Sequence, residues 1–159
     1  MTVKLREATV DDVPTIARLI RALSVYEKLE NEVVMTEEKL HHNLFGDHRY
    51  AEVVLAEEDG VAMAFALFFH NFSTFLGRPG IYLEDLFVVP DHRGQGIGRD
   101  LLVHLAHLAV ERGCGRLEWA VLNWNQEAIR FYERLGARPN SDWTVYRLAG
   151  EALVSLAGK

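Results

Sequence analysis

The stretch Val88-Val89-Pro90-Asp91-His92-Arg93-Gly94-Gln95-Gly96-Ile97-Gly98 decides the fold. It leads from an apolar strand through a glycine-rich turn into a helix start, because Ile97, Leu101, Leu102, Leu105, Leu108 and Ala109 follow at helical spacing. Backbone N–H groups at such a junction point outward, and the helix macrodipole adds partial positive charge. Together they make an anion site, usually for phosphate. Glycine lets the chain approach the anion with no Cβ in the way. Arg93 and Arg99 add charge-assisted donors.

Three phosphate-loop patterns compete for this turn. A Walker loop needs Lys-Ser or Lys-Thr after its last glycine, and Arg99-Asp100 stands there. A dinucleotide fingerprint fits at Gly94 and Gly96 but meets Arg99 at its third glycine, with Glu118 as the ribose-binding acid. The third pattern, Arg-x-x-Gly-x-Gly, is met by Arg93, Gly96 and Gly98. A bare helix cap is the bland alternative, and three glycines within five residues exceed what a cap needs.

Outward from the loop, Ile81 to Val89 reads as a strand, apolar on both faces except at Glu84 and Asp85. On strict alternation those two acids face opposite sides. Asp59-Gly60 is a hairpin turn between strands over 49–57 and 61–69. Val3 to Ala8 alternates as a strand, and Thr9 caps a helix with Val13, Ile16, Ala17, Ile20 and Leu23 on one face. Thr36 starts a second helix that runs to Phe45. Thr74 to Gly80 is a loop, Arg116 to Leu122 a strand, Gln126 to Leu135 a helix and Thr144 to Leu148 a last strand. The order implies an α/β chain: a mixed, mostly antiparallel sheet with helices on both faces.

Composition closes off other classes. At 159 residues the chain suits one domain spanning 1–159, and 49% apolar with 25% charged residues is ordinary for a globular protein. Lys plus Arg total 17 against 23 Asp plus Glu, a net charge of −6, which argues against nucleic-acid binding through overall charge. The longest apolar run, Val61 to Phe69, is far short of the roughly 20 residues that span a bilayer, so no membrane partner is expected. The N-terminus lacks the apolar stretch of a secretory signal, and the single cysteine, Cys114, can form no internal disulfide. A cytoplasmic protein is expected, with Cys114 as a buried structural thiol. His41-His42, or His104 with His107, find no third ligand at zinc spacing, so no metal is expected.

The loop pattern resembles the pyrophosphate loop of the GNAT superfamily of acyl-CoA N-acyltransferases. Two more segments carry the resemblance: Glu84 to Pro90, like the strand entering that loop, and Asn123 to Ala137, like the later Asn…Ala-x-x-Phe-Tyr-x-x-x-Gly-Ala segment. Tyr26-Glu27, Tyr82-Leu83-Glu84-Asp85 and Trp124-Asn125 further resemble the diamine and thialysine N-acetyltransferase group, over about Ala22 to Gly136. Beyond Ala137 the segment Arg138 to Trp143 is shorter than in that group.

The resemblance implies a six- to seven-stranded sheet, acetyl-CoA as cosubstrate, a small amine as acceptor and a homodimer. It gives Glu84 the role of helping deprotonate the amine, and a desolvated carboxylate with a raised pKa would suit that role. It gives Tyr132 the protonation of the departing thiolate. Leu86, Phe87 and Val88 pair with the pantetheine like an added strand. Gly94, Gln95, Gly96, Ile97, Gly98 and Arg99 take the pyrophosphate, helped by Arg93. Asn125 caps its helix and contacts the cofactor. Tyr26, Glu27, Glu118, Trp119 and Asp142 line the acceptor pocket, where carboxylates and aromatic faces suit an ammonium. Asp85 carries no assigned chemistry. Two other readings stay open: the same chemistry on an amino acid, antibiotic or protein N-terminus, and an acyl-CoA sensor without catalysis.

Overall fold

A computed structural model describes residues 2–158. The elements are β1 (Lys4–Glu7), α1 (Val13–Tyr26), α2 (Glu37–Phe45), β2 (Glu52–Glu58), β3 (Val61–Ser73), β4 (Arg78–Val88), α3 (Ile97–Glu111), β5 (Leu117–Trp119), α4 (Gln126–Arg134) and α5 (Gly150–Ala157). They form two compact units, one ending at Ala120 and one starting at Val121.

The first unit is built on one five-stranded sheet in the order β1-β2-β3-β4-β5. The first three pairings are antiparallel and β4–β5 is parallel. Asp59 (φ 52°) and Gly60 (φ 78°) both take the left-handed conformation that a two-residue hairpin requires. One sheet face packs on α1 and α2 through Ile16, Leu19, Leu23 and Leu44 against Val53, Leu55, Phe65 and Phe87. On the other face α3 contacts β2, β3 and β4 and buries Ile97, Leu101, Leu102, Leu105 and Ala109. Burying these two stripes is what holds the unit together, at about 25 cal/mol per Å² of apolar surface.

The expected six- to seven-stranded sheet is corrected to five. Thr144 to Leu148, expected as a strand, is irregular and exposed. A strand needs a neighbour to satisfy its backbone groups, and among the described residues the second unit contains only α4 and α5. The loop expected over Thr74 to Gly80 shrinks to a turn at 74–77, because β3 and β4 extend to Ser73 and Arg78. Arg116 to Leu122 contributes only the short β5. No helix among the described residues is long and apolar enough to cross a membrane.

Two ion-pair clusters tie elements of the first unit together. Arg6 on β1 donates to both oxygens of Asp12 (2.8 Å each) and pairs with Glu57 on β2 at 3.0 Å. Arg112, just past α3, donates to both oxygens of Glu52 (2.8 and 2.9 Å) and to Nε2 of His70 (3.0 Å). That leaves His70 Nδ1 as the donor to the Gly80 carbonyl, 3.0 Å away. Cys114 is half-buried rather than buried, and its Sγ lies 3.9 Å from His70 Nδ1.

The first cluster predicts an acid-sensitive stability. Hydrogen bonds from Arg6 hold Asp12 down from 3.8 to about 2. A carboxyl with a depressed folded-state pKa stabilises fully above its unfolded value, and that stability is lost as pH falls through the folded value. Urea unfolding at neutral pH should show Asp12→Asn less stable than wild type by about 1 kcal/mol. The two curves should converge as the pH approaches about 2. A constant gap across that range contradicts the pairing.

Candidate active site

The loop after β4 is a short 3₁₀ turn over Pro90–His92, then Arg93 to Gly96, then α3. Gly94 (φ 79°) and Gly96 (φ 83°) are left-handed, which side chains resist. A Cβ on either would enter open space. Among the described residues, no backbone hydrogen bond takes an amide from Gly94 to Arg99 as donor. Gly96 is the N-cap of α3, so these free amides sit at the positive end of a 15-residue helix. Gly94, Gln95, Gly96 and Arg99 are exposed, Gly98 is half-buried, and Ile97 is buried beneath the loop.

Arg93 is placed differently from the expected free donor. Its Nε donates to the Val88 carbonyl at 3.0 Å, closing the strand–loop junction. Its guanidinium lies over the Tyr26 ring, 4.2 Å from the centroid, and over Phe87 at 5.6 Å. Arg93 therefore braces the loop against α1, with its terminal N–H groups as the remaining donors.

β4 departs from regular pairing at the expected base. Its register with β3 steps from Leu67–Asp85 to Phe68–Leu83, so Glu84 is the extra residue of a β-bulge. Two consequences follow. Phe69 opposes Tyr82, with rings 5.4 Å apart, and Leu67 opposes Asp85. Leu67 and Phe69 share one face of β3, so Tyr82 and Asp85 share that face too. It is the face of Phe65 and Phe87, on which α1 packs. The bulge breaks strict alternation along β4 at Glu84.

The second consequence concerns burial. Glu84 is exposed, which corrects the expectation of a desolvated carboxylate there. Desolvation falls instead on Asp85, whose carboxyl is pushed up to about 7, chiefly by burial and then by the charges of Glu84 and Glu27. Glu27 sits half-buried at the C-cap of α1 and is also raised by burial. The next residue, Lys28 (φ 61°), turns left-handed and ends that helix, which fixes where Glu27 projects. Glu118 on β5 lies opposite Tyr82 and accepts from Asn71 Nδ2 at 3.3 Å. Burial raises Tyr82, and Glu84 and Glu118 add to it. The bulge thus gathers Glu27, Glu84, Asp85 and Glu118 around one stretch of β4, with Tyr82 among them. The sequence reading assigns Asp85 no chemistry, and nothing in the sequence marks a bulge at Glu84.

Beyond Leu83 the edge of β4 that faces β5 has no strand partner, because β5 pairs only with Ile81 to Leu83 and ends at Trp119. Leu86 to Val88 lie on that open edge. Trp119 itself is half-buried on β5.

In the second unit, Asn125 is the N-cap of α4, and its Oδ1 accepts from the Ala128 amide at 3.2 Å, as the capping reading expected. Tyr132 lies half-buried on α4, its ring 5.5 Å from that of Phe131. Asp142 is exposed in the turn after it. Among the described residues, no group of three or more His, Cys, Asp or Glu could hold a metal.

The profile of the acetyltransferase (GNAT) family matches residues 17–137 of this chain. The chain belongs to the GNAT acetyltransferase family. A thialysine N-epsilon-acetyltransferase of Bos taurus is 39% identical over 99% of this chain and 98% of its own length. An L-ornithine N5-acetyltransferase of Arabidopsis thaliana is 32% identical over 96% of this chain and 87% of its own length. The structure of an integron cassette protein of V. cholerae superposes with a TM-score of 0.85 at 27% identity, covering 100% of this chain and 99% of that one. This GNAT protein is an acetyl-CoA-dependent N-acetyltransferase. Its loop fits the diphosphate of such a cosubstrate on three counts: donors without acceptors, space where a Cβ would stand, and a helix N-terminus behind them.

Proposed function

We propose that this enzyme acetylates the primary amine of a small cationic acceptor, such as thialysine, ornithine, a diamine or a polyamine. The observation that carries this reading is the gathering of Glu27, Glu84, Asp85 and Glu118 about the β4 bulge. The charges of Glu84 and Glu27 both act on Asp85, so a cationic guest relieves that repulsion. Relatives named for thialysine and ornithine acetylation support the choice of acceptor.

The amine resembles lysine, with a pKa of about 10.4, and arrives protonated. Glu84 takes part in removing that proton, and the neutral nitrogen attacks the thioester carbon. The C–N bond forms and the C–S bond breaks. Tyr132 protonates the departing thiolate: a phenol near pKa 10 can serve a thiol near 8.5 when well placed. The Leu86–Val88 edge pairs with the pantetheine, which leaves the carbonyl near a backbone N–H as charge develops. Gly94 to Arg99 hold the diphosphate, and Asn125 adds a cofactor contact beside its capping role. Tyr26 and Trp119 complete the acceptor pocket. The whole chain works as one catalytic domain, as a cytoplasmic homodimer, without metal.

A panel of amines with release of free thiol as readout tests the acceptor. Dicationic and amino-acid-like amines (thialysine, ornithine, spermidine) should turn over with kcat/KM at least about tenfold above a neutral-chain monoamine, the scale of one lost charge contact. Inactivity with all the cationic amines, or preference for the monoamine, contradicts the assignment.

A further inference from the structure

Asp85 is a costly residue where it stands. It is a mostly buried carboxyl on β4, and the groups that act on it are two further carboxylates, Glu84 from its own strand and Glu27 from the end of α1. Neither ion pair nor hydrogen-bond donor offsets them among the described residues. A structural acid normally has a cation or several N–H donors. The Arg93 guanidinium donates through Nε to the Val88 carbonyl and lies over the faces of Tyr26 and Phe87, and it forms no ion pair with Asp85. Asp85 lies on the α1 face with Phe87, and Glu84, the extra residue of the bulge, is exposed beside it.

We propose that Asp85 is the proton-holding residue of the acceptor site: it receives the amine's proton by way of Glu84, and Glu27 tunes it from α1. This rests on the reading of the site as an amine acceptor site. The ammonium loses one proton to the exposed Glu84 carboxylate, which passes it inward to Asp85. The amine nitrogen, now neutral, keeps its lone pair for the thioester carbon. The proton on Asp85 returns to water after the acetylated product leaves, so the carboxyls end as they began. An ordinary carboxylate lies about six pKa units below an alkylammonium. A carboxyl at about 7 narrows that gap to between three and four units, which makes the transfer far less uphill. The architecture separates two demands: an exposed group that meets the amine and a dry group basic enough to keep its proton.

The test is the pH profile of kcat/KM for the amine, with carbon NMR titration of the Asp85 carboxyl alongside. Wild type should show an acid limb near pH 7 and an Asp85 resonance titrating with it. Asp85→Asn should lower kcat by about 100-fold and remove that limb, while the KM for acetyl-CoA and the folded spectrum are retained. Asp85→Glu should restore part of the rate. Glu27→Gln removes a like charge, so Asp85 becomes easier to ionise and the limb should move to lower pH. A folded Asp85→Asn enzyme with wild-type rate and limb overturns the proposal. If that variant does not fold, an Asp85 resonance titrating in the ordinary carboxylate range, or an unmoved limb in Glu27→Gln, overturns it instead. Inactivity of wild type towards every amine would sink the acceptor reading, and the carboxyl titration would still decide whether Asp85 holds a proton near neutrality.

Discussion

Replacing Tyr132 by Phe should lower kcat by between about 10²- and 10³-fold and leave the Kd for acetyl-CoA within about twofold of wild type. The substitution removes only the hydroxyl. The ring stays on α4 beside Phe131, 5.5 Å away, so the helix keeps its packing. In the proposed role the lost group would matter when the C–S bond breaks, because a thiolate without a proton donor re-attacks the amide or leaves slowly. The effect should thus appear in kcat and not in ground-state affinity. Stopped-flow thiol release with equilibrium binding separates the two. An unchanged kcat assigns the protonation to another group, and a kcat loss matched by weaker binding makes Tyr132 a packing residue.

Gly96→Val should weaken acetyl-CoA binding by more than about 100-fold. Two effects add. At φ 83° a β-branched residue is strongly disfavoured, so the loop would leave its conformation and scatter its aligned amides. The new side chain would also enter the open space above Gly96, where a diphosphate would lie. Gly60→Ala serves as control. Gly60 is also left-handed, at φ 78°, and has open space around it, but it lies in the β2–β3 hairpin. It should lose stability of order 1 kcal/mol without losing affinity. Calorimetric titration checks both. Equal affinity in Gly96→Val and wild type would show that the loop does not hold the cosubstrate.

Much of this architecture is legible in the sequence, for local reasons. Asp59-Gly60 has the residues that its turn demands. Thr36 and Asn125 cap the helices after them through their own side chains. The glycines at 94 and 96 mark the left-handed positions of the loop. What stays hidden depends on partners distant in the chain. Thr144 to Leu148 has strand-forming residues, yet among the described residues its unit holds no strand to pair with. The bulge at Glu84 arises from how β3 and β4 register, so period-two reasoning does not find that Tyr82 and Asp85 share a face. One of the charges that raise Asp85, that of Glu27, comes from the end of α1, about sixty residues earlier in the chain. Arg93 reads as a phosphate ligand in one dimension, and its bracing contacts between loop and helix show only in three.

The most direct measurement is an amide-resolved NMR titration of the wild-type protein with acetyl-CoA. Main-chain donors that grip a diphosphate should give their largest shifts at Gly94 to Arg99, saturating at one equivalent and shared by free coenzyme A. Shifts that leave those six amides untouched while acetyl-CoA binds elsewhere, or no binding at all, would contradict the account.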